Sequence, residues 1–227
     1  MAKTKNYQHF CPVARSLEVI GEKWSLLIVR DLLGGPRRFS DLQESLGKIT
    51  AKWLTLRLRE LELVGIVTRD SEEGRREVWY TLTPRGRELA PVVAALNVWG
   101  VKNALRPPLP GERVSLAAVF TSAIGFFITQ RLSLPTPRTW VVHFNDGRTA
   151  VIRYDGKRWR WAIEDECPSD ADVRIETTPE AWATFYALRG EERKAALLAM
   201  LPSGDADAIE ELLATFDGQP MAVTAAR

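Results

Sequence analysis

Lys52, Thr55, Leu56 and Arg59 recur at intervals of three and four residues, so a helix would align them on one face. Such a face suits a DNA groove. Lysine and arginine attract phosphate, the arginine fork matches the paired acceptors of guanine, and threonine bonds a base edge or meets a thymine methyl. Leu56 cannot hydrogen-bond a base; either it packs on thymine methyls or the readout shifts to Thr55 and Arg59. Thr50, just upstream, offers a capping hydroxyl, and the helix start behind it offers amides to a phosphate. Arg37, Arg38 and Arg57 extend this candidate DNA-binding set, as do Arg75 and Arg76 at the tip of a following loop. A solvated helix beside a solvated loop would carry the same residue types, so the order of the surrounding elements decides between the two readings.

Leu54, Leu58 and Leu61 form the apolar stripe of the same helix, which Val64-Gly65 closes. Upstream, Ser16 is expected to begin a helix bearing Leu17 and Ile20. A second helix runs from about Lys23 to Leu33, and Gly34-Gly35-Pro36 stops it. Ser40-Asp41-Leu42-Gln43 reads as a capping box starting a third helix, ended at Gly47. Downstream, Ile66 to Asp70 and Glu77 to Leu82 are strand-like around Ser71-Glu72-Glu73-Gly74-Arg75, a hairpin tip. Thr83-Pro84 then starts a helix expected to reach about Asn103. Helix, turn, helix and basic hairpin in this order describe a winged helix-turn-helix, whose second helix enters the major groove.

Several runs make the resemblance specific: Cys11-Pro12-Val13-Ala14-Arg15, Gly21-Glu22-Lys23-Trp24, Gly35-Pro36-Arg37-Arg38-Phe39, Arg57-Leu58-Arg59-Glu60-Leu61-Glu62 and Tyr80-Thr81-Leu82-Thr83-Pro84-Arg85-Gly86. In order and spacing, over residues 11–100, they resemble the HxlR-type transcriptional regulators. The resemblance implies a homodimer on a partly palindromic operator, with repression the favoured direction. It also implies a dimer interface from the helices flanking the DNA-binding core. Leu89, Val92, Val93, Leu96 and Trp99 supply an apolar stripe wide enough for that role, although packing within one chain would use it equally. Trp53 and Leu56 depart from the family's usual residues, which leaves the operator sequence open. In several family members a cysteine at the position of Cys11 senses electrophiles or oxidants. The resemblance therefore raises a sensor role here, with Arg15 one turn on to favour the thiolate; a structural contact is the alternative.

Three prolines and a glycine within Arg106-Pro107-Pro108-Leu109-Pro110-Gly111 mark a linker. The expected domains are 1–106, for DNA binding and dimerisation, and 107–227. The first carries 18 Lys/Arg against 12 Asp/Glu and the second 13 against 17, so the overall charge of +2 conceals a basic half suited to phosphate. In the second part a helix over Leu116 to Leu132 precedes strands at Trp140 to Phe144, Thr149 to Tyr154, Arg158 to Ala162 and Ala171 to Thr177. Asn145-Asp146-Gly147 and Asp155-Gly156 are hairpin turns. Helices follow at about 179–189, 191–200 and 205–216. Asp172-Val173-Arg174-Ile175-Glu176-Thr177-Thr178-Pro179-Glu180 and Ala187-Leu188-Arg189-Gly190-Glu191 resemble the sterol-carrier-protein-like fold. That resemblance implies an antiparallel sheet covered by helices and an apolar tunnel for a small-molecule effector. Phe120, Phe126, Phe127, Trp140, Trp161, Trp182 and Phe185 are its candidate lining, or else an ordinary core.

The fold class expected overall is α+β: an N-terminal winged helix-turn-helix followed by an α+β domain. With 45% hydrophobic and 26% charged residues the chain can bury a core, and no apolar run reaches a membrane span. The polar N-terminus lacks a secretory signal, and the cytoplasm is the expected compartment. Cys11 and Cys167 make no disulfide framework, and neither they nor His9 and His143 have metal-ligand spacing. The sequence holds no G-x-S-x-G, H-E-x-x-H, P-loop or G-x-G-x-x-G, so neither an enzyme nor a cofactor is expected. A lipid-binding protein whose N-terminal half mediates protein contacts is the remaining rival.

Overall fold

The computed structural model describes residues 6–70 and 78–219. The chain parts into two compact units, residues 1–95 and 96–227. In the first unit, α1 (Pro12–Ile20) and α2 (Ser25–Leu33) lead into β1 (Arg37–Arg38), α3 (Phe39–Leu46) and α4 (Ala51–Leu63). Strands β2 (Val67–Asp70) and β3 (Trp79–Leu82), α5 (Pro84–Arg87) and α6 (Ala90–Asn103) follow. The unit boundary falls inside α6, ahead of the proline-rich run at 106–111.

Three departures of this unit from the sequence reading have a local reason. Helix α1 begins at Pro12, not Ser16; proline's fixed φ suits the first turn, and Ser16 Oγ instead donates to the Pro12 carbonyl within the helix at 2.9 Å. Arg38, rather than Ser40, holds the extended N-cap position of α3, where its amide donates to Asp41 Oδ2 at 3.0 Å. The single helix expected over 84–103 is two, α5 and α6. Pro91 has no amide hydrogen, so the Arg87 carbonyl lacks its usual partner four residues on.

Sheet order in this unit is β1-β3-β2, all antiparallel, with Val67 opposite Leu82 and Asp70 opposite Trp79. The core is aliphatic: Ile28, Val29, Leu42, Leu54, Leu58 and Leu61 are at most 2% exposed, so α2, α3 and α4 share one interior with the foot of the hairpin. The hairpin tip, with Arg75 and Arg76, lies outside the described residues.

The second unit places α7 (Leu116–Thr129), α8 (Pro179–Ala187), α9 (Gly190–Ala199) and α10 (Ala206–Phe216) with a five-stranded sheet. Its strands are β4 (Arg138–Phe144), β5 (Thr149–Tyr154), β6 (Trp159–Glu164), β7 (Val173–Thr177) and β8 (Ser203–Gly204). Their order is β6-β5-β4-β7-β8. The sheet is antiparallel except that β7 runs parallel to β4, because the chain crosses from the edge strand β6 back to the free side of β4. Trp140, Val142 and Phe144 alternate toward the helices, and Ala150, Ile152 and Tyr154 do so from the neighbouring strand. Arg138 ties the strands to α10: its Nε donates to Glu211 at 2.6 Å and its Nη1 to Asp172 at 3.2 Å. No described helix is long and apolar enough to cross a membrane.

Candidate nucleic-acid interface

Helix α4 owes its start to Thr50, which has an extended backbone and whose Oγ1 accepts the Trp53 amide at 3.3 Å. Leu54, Leu58 and Leu61 turn inward, which leaves the opposite side of the helix outward. Lys52, Leu56 and Arg59 are exposed and Thr55 is half-buried, one continuous face as the spacing requires. Among the described residues neither Lys52 nor Arg59 is paired with a carboxylate. Their charge is available to an anion outside the protein.

Arg57 is placed otherwise than the sequence suggested. It is only 7% exposed, its Nη2 lies 3.5 Å from Glu22 Oε2, and its Nη1 donates to Glu60. A guanidinium so enclosed cannot reach a groove. It joins the α1–α2 turn to α4 instead. That turn is sharp: Trp24 sits at φ 81°, in the left-handed region that few non-glycine residues adopt, with Lys23 Nζ 5.1 Å from its ring centroid.

The far end of α4 is held by the Thr83-Pro84-Arg85-Gly86 run. Thr83 Oγ1 donates to the Gly65 carbonyl at 2.6 Å and accepts the Gly86 amide at 3.0 Å. Arg85 Nη1 donates to the Val64 carbonyl at 3.0 Å. These donors take carbonyls that the end of a helix leaves unpaired. The approach is close enough to demand glycine at 86, since a Cβ there would stand 2.2 Å from the Ile66 carbonyl oxygen.

Arg37 is exposed on β1, opposite Tyr80, whereas Arg38 is half-buried with its guanidinium carbon 4.6 Å from the Trp79 ring centroid. Between α4 and the hairpin strands lies a cleft of about 240 Å³ lined by Thr55, Arg59, Glu62, Arg69 and Tyr80 over Phe39 and Leu58. Sequence reasoning missed Arg69 and Tyr80. Strand alternation put them on the hairpin, but only the pairing of β2 with β3, Arg69 opposite Tyr80, turns them toward this helix.

The remaining candidates fall into three groups. Of the α6 stripe, Leu89 and Val93 pack against the first unit's core, while Val92, Leu96 and Trp99 are 42%, 49% and 60% exposed. Cys11 is a half-buried free thiol at the N-cap of α1, and Arg15, expected to attend it, is engaged by Glu18 Oε2 at 2.9 Å. The seven candidate aromatics of the second unit are buried apart from the half-buried Trp161, and all but Phe126 pack against another ring. Phe120 stacks between Trp161 and Trp182 at centroid distances of 5.3 and 5.6 Å. The indole Nε1 atoms of Trp140 and Trp182 are buried with no hydrogen-bond partner.

Helix, turn, cationic helix and hairpin, on one aliphatic core, define a DNA-binding helix-turn-helix transcriptional regulator. A family model for HxlR-like helix-turn-helix proteins matches residues 19–107. The uncharacterised HTH-type transcriptional regulator sll1512 of Synechocystis sp. is 43% identical over 93 residues, covering 40% of this chain and 69% of that one. YvaP of Bacillus subtilis, described in the same words, is 34% identical over 99 residues, 43% of this chain and 92% of its own. The chain belongs to the HxlR-like helix-turn-helix family. Similar solved structures include the redox regulator HypR in its oxidised form, 40% identical over 41% of this chain and 97% of that one, with a TM-score of 0.39. Another is the reduced form of the transcriptional regulator YodB from B. subtilis, 35% identical over 42% and 96%, with a TM-score of 0.38.

Proposed function

We propose that this chain acts as a homodimeric repressor on a partly palindromic operator, with α4 in the major groove. Residues 70–77, the wing expected from the sequence, would lie on the backbone or in the minor groove. The observation that carries the reading is the exposed face of Lys52, Thr55, Leu56 and Arg59, whose two cations have no carboxylate partner among the described residues. Exposed Val92, Leu96 and Trp99 on α6, with Phe10, Val13 and Leu17 at α1, provide the apolar surface that a second copy would cover. Residues 1–106 then serve DNA binding and dimerisation. Residues 107–227 serve as a sterol-carrier-protein-like module for an apolar effector. Two buried indole donors without acceptors favour a ligand that carries an acceptor group. An effector that binds one dimer geometry better than another shifts operator affinity by that difference.

The test is fluorescence anisotropy on a duplex recovered by in vitro selection with the wild-type protein. The Lys52→Ala, Arg59→Ala double variant is expected to weaken binding by about a hundredfold and to flatten the salt slope by about two. Unchanged affinity and slope would remove α4 from the groove.

Thiol sensing is the second reading. Cys11 is half-buried at the start of α1, within reach of a small electrophile. Quinone treatment should then add mass at Cys11 and alter operator binding in the wild type but not in Cys11→Ser.

A further inference from the structure

The cleft beside α4 brings together side chains from three elements that a lone recognition helix would not combine. Arg59 and Thr55 come from α4, Arg69 from β2 and Tyr80 from β3. Neither arginine is paired with a carboxylate among the described residues, although Glu62 stands on the same wall. Arg59 shares the outward face of the helix with Lys52 and Leu56, but of the three only Arg59 also lines the cleft. It stands at the border between helix and hairpin. A base edge is read from the crest, deep in the groove; the border passes over the strand that flanks the groove.

We propose that this cleft seats one phosphate of the DNA backbone. Arg59 and Arg69 would supply charge-assisted donors, and the hydroxyls of Thr55 and Tyr80 would complete the contact. The proposal rests on α4 entering the major groove, and it assigns Arg59 to the backbone rather than to a base. Two convergent guanidiniums hold a tetrahedral oxyanion better than one, because each presents several donors in a fixed plane. The pair also fixes how deeply α4 enters, since its two arginines come from different elements around one phosphate. Glu62 lines the same cleft, and its carboxylate would oppose a bound anion.

The experiment measures anisotropy against the selected operator and against a scrambled duplex of equal length, over a range of KCl. Arg69→Ala should weaken both duplexes by a similar factor, about tenfold, and should lower the salt slope by about one. Glu62→Gln should tighten both. Arg69→Gln, which keeps most of the side chain's bulk, guards against a fold effect, as do matched thermal melts. A loss confined to the operator would mean base reading and would overturn the proposal. So would unchanged binding in Arg69→Ala and Arg69→Gln while Lys52→Ala still weakens the operator complex. If Lys52→Ala, Arg59→Ala and Arg69→Ala all left binding intact, the groove assignment of α4 would fall as well.

Discussion

Arg57 and Arg59 are two positions apart on α4, yet one is enclosed by carboxylates and the other faces outward. A helix turns by about 100° per residue, so residues two apart point in widely separated directions. Arg57→Ala is expected to lower stability by about 1–2 kcal/mol. The figure is modest because Glu22 and Glu60 retain 36% and 26% exposure and stay hydrated when the arginine is lost. Urea unfolding measures the loss. The same variant should leave the salt slope of DNA binding unchanged, unlike Arg59→Ala, because Arg57 has no access to phosphate. A slope reduced by one in Arg57→Ala would place it back on the DNA.

At the scale of elements, α4 is fixed at both ends by side chains that lie far apart in sequence. Thr50 caps its start, and Thr83 and Arg85 take the carbonyls at its end. Gly86 is what allows this docking. Gly86→Ala forces a Cβ against the Ile66 backbone and is expected to cost about 2–3 kcal/mol, seen as a lower thermal midpoint with weakened DNA binding. A melt at the wild-type temperature would show that the turn relaxes freely. The capping role of Thr50 was legible in the sequence because a cap is a local device. The role of the Thr-Pro-Arg-Gly run was visible only as a helix start. Its second use, on a neighbouring helix, depends on chain that arrives from elsewhere. The second unit repeats the lesson. The strands were readable from alternation and turns, but the parallel pairing of β7 with β4 follows from a crossover that no strand records in its own residues.

On the scale of the whole molecule, three large apolar side chains on α6 stand in water in the isolated chain. Their exposure is a cost that association would relieve, at roughly 25 cal/mol for each Å² of apolar surface covered. The paired substitutions Leu96→Glu and Trp99→Glu should convert the proposed dimer to a monomer in light scattering and weaken operator binding through the lost second half-site. A dimer of undiminished stability would place the interface elsewhere. The aromatic cluster of the second unit tests the proposed effector site. Tryptophan emission should shift on titration with an apolar acid if Trp140 and Trp182 find their acceptor there, and should stay fixed if the cluster is only core.

By itself the sequence determined what local chemistry and periodicity can encode. It specified the inward leucines and outward cations of α4, its cap, the hairpin, and the family that the ordered motifs announce. Which cations stay free, and which are consumed inside, was decided only when distant segments met. Glu22 reached Arg57, and the register of β2 with β3 turned Arg69 and Tyr80 toward Arg59. Periodicity fixes the side of a helix on which a residue lies. The charge of whatever packs against that side belongs to another part of the chain, and only tertiary structure brings it there.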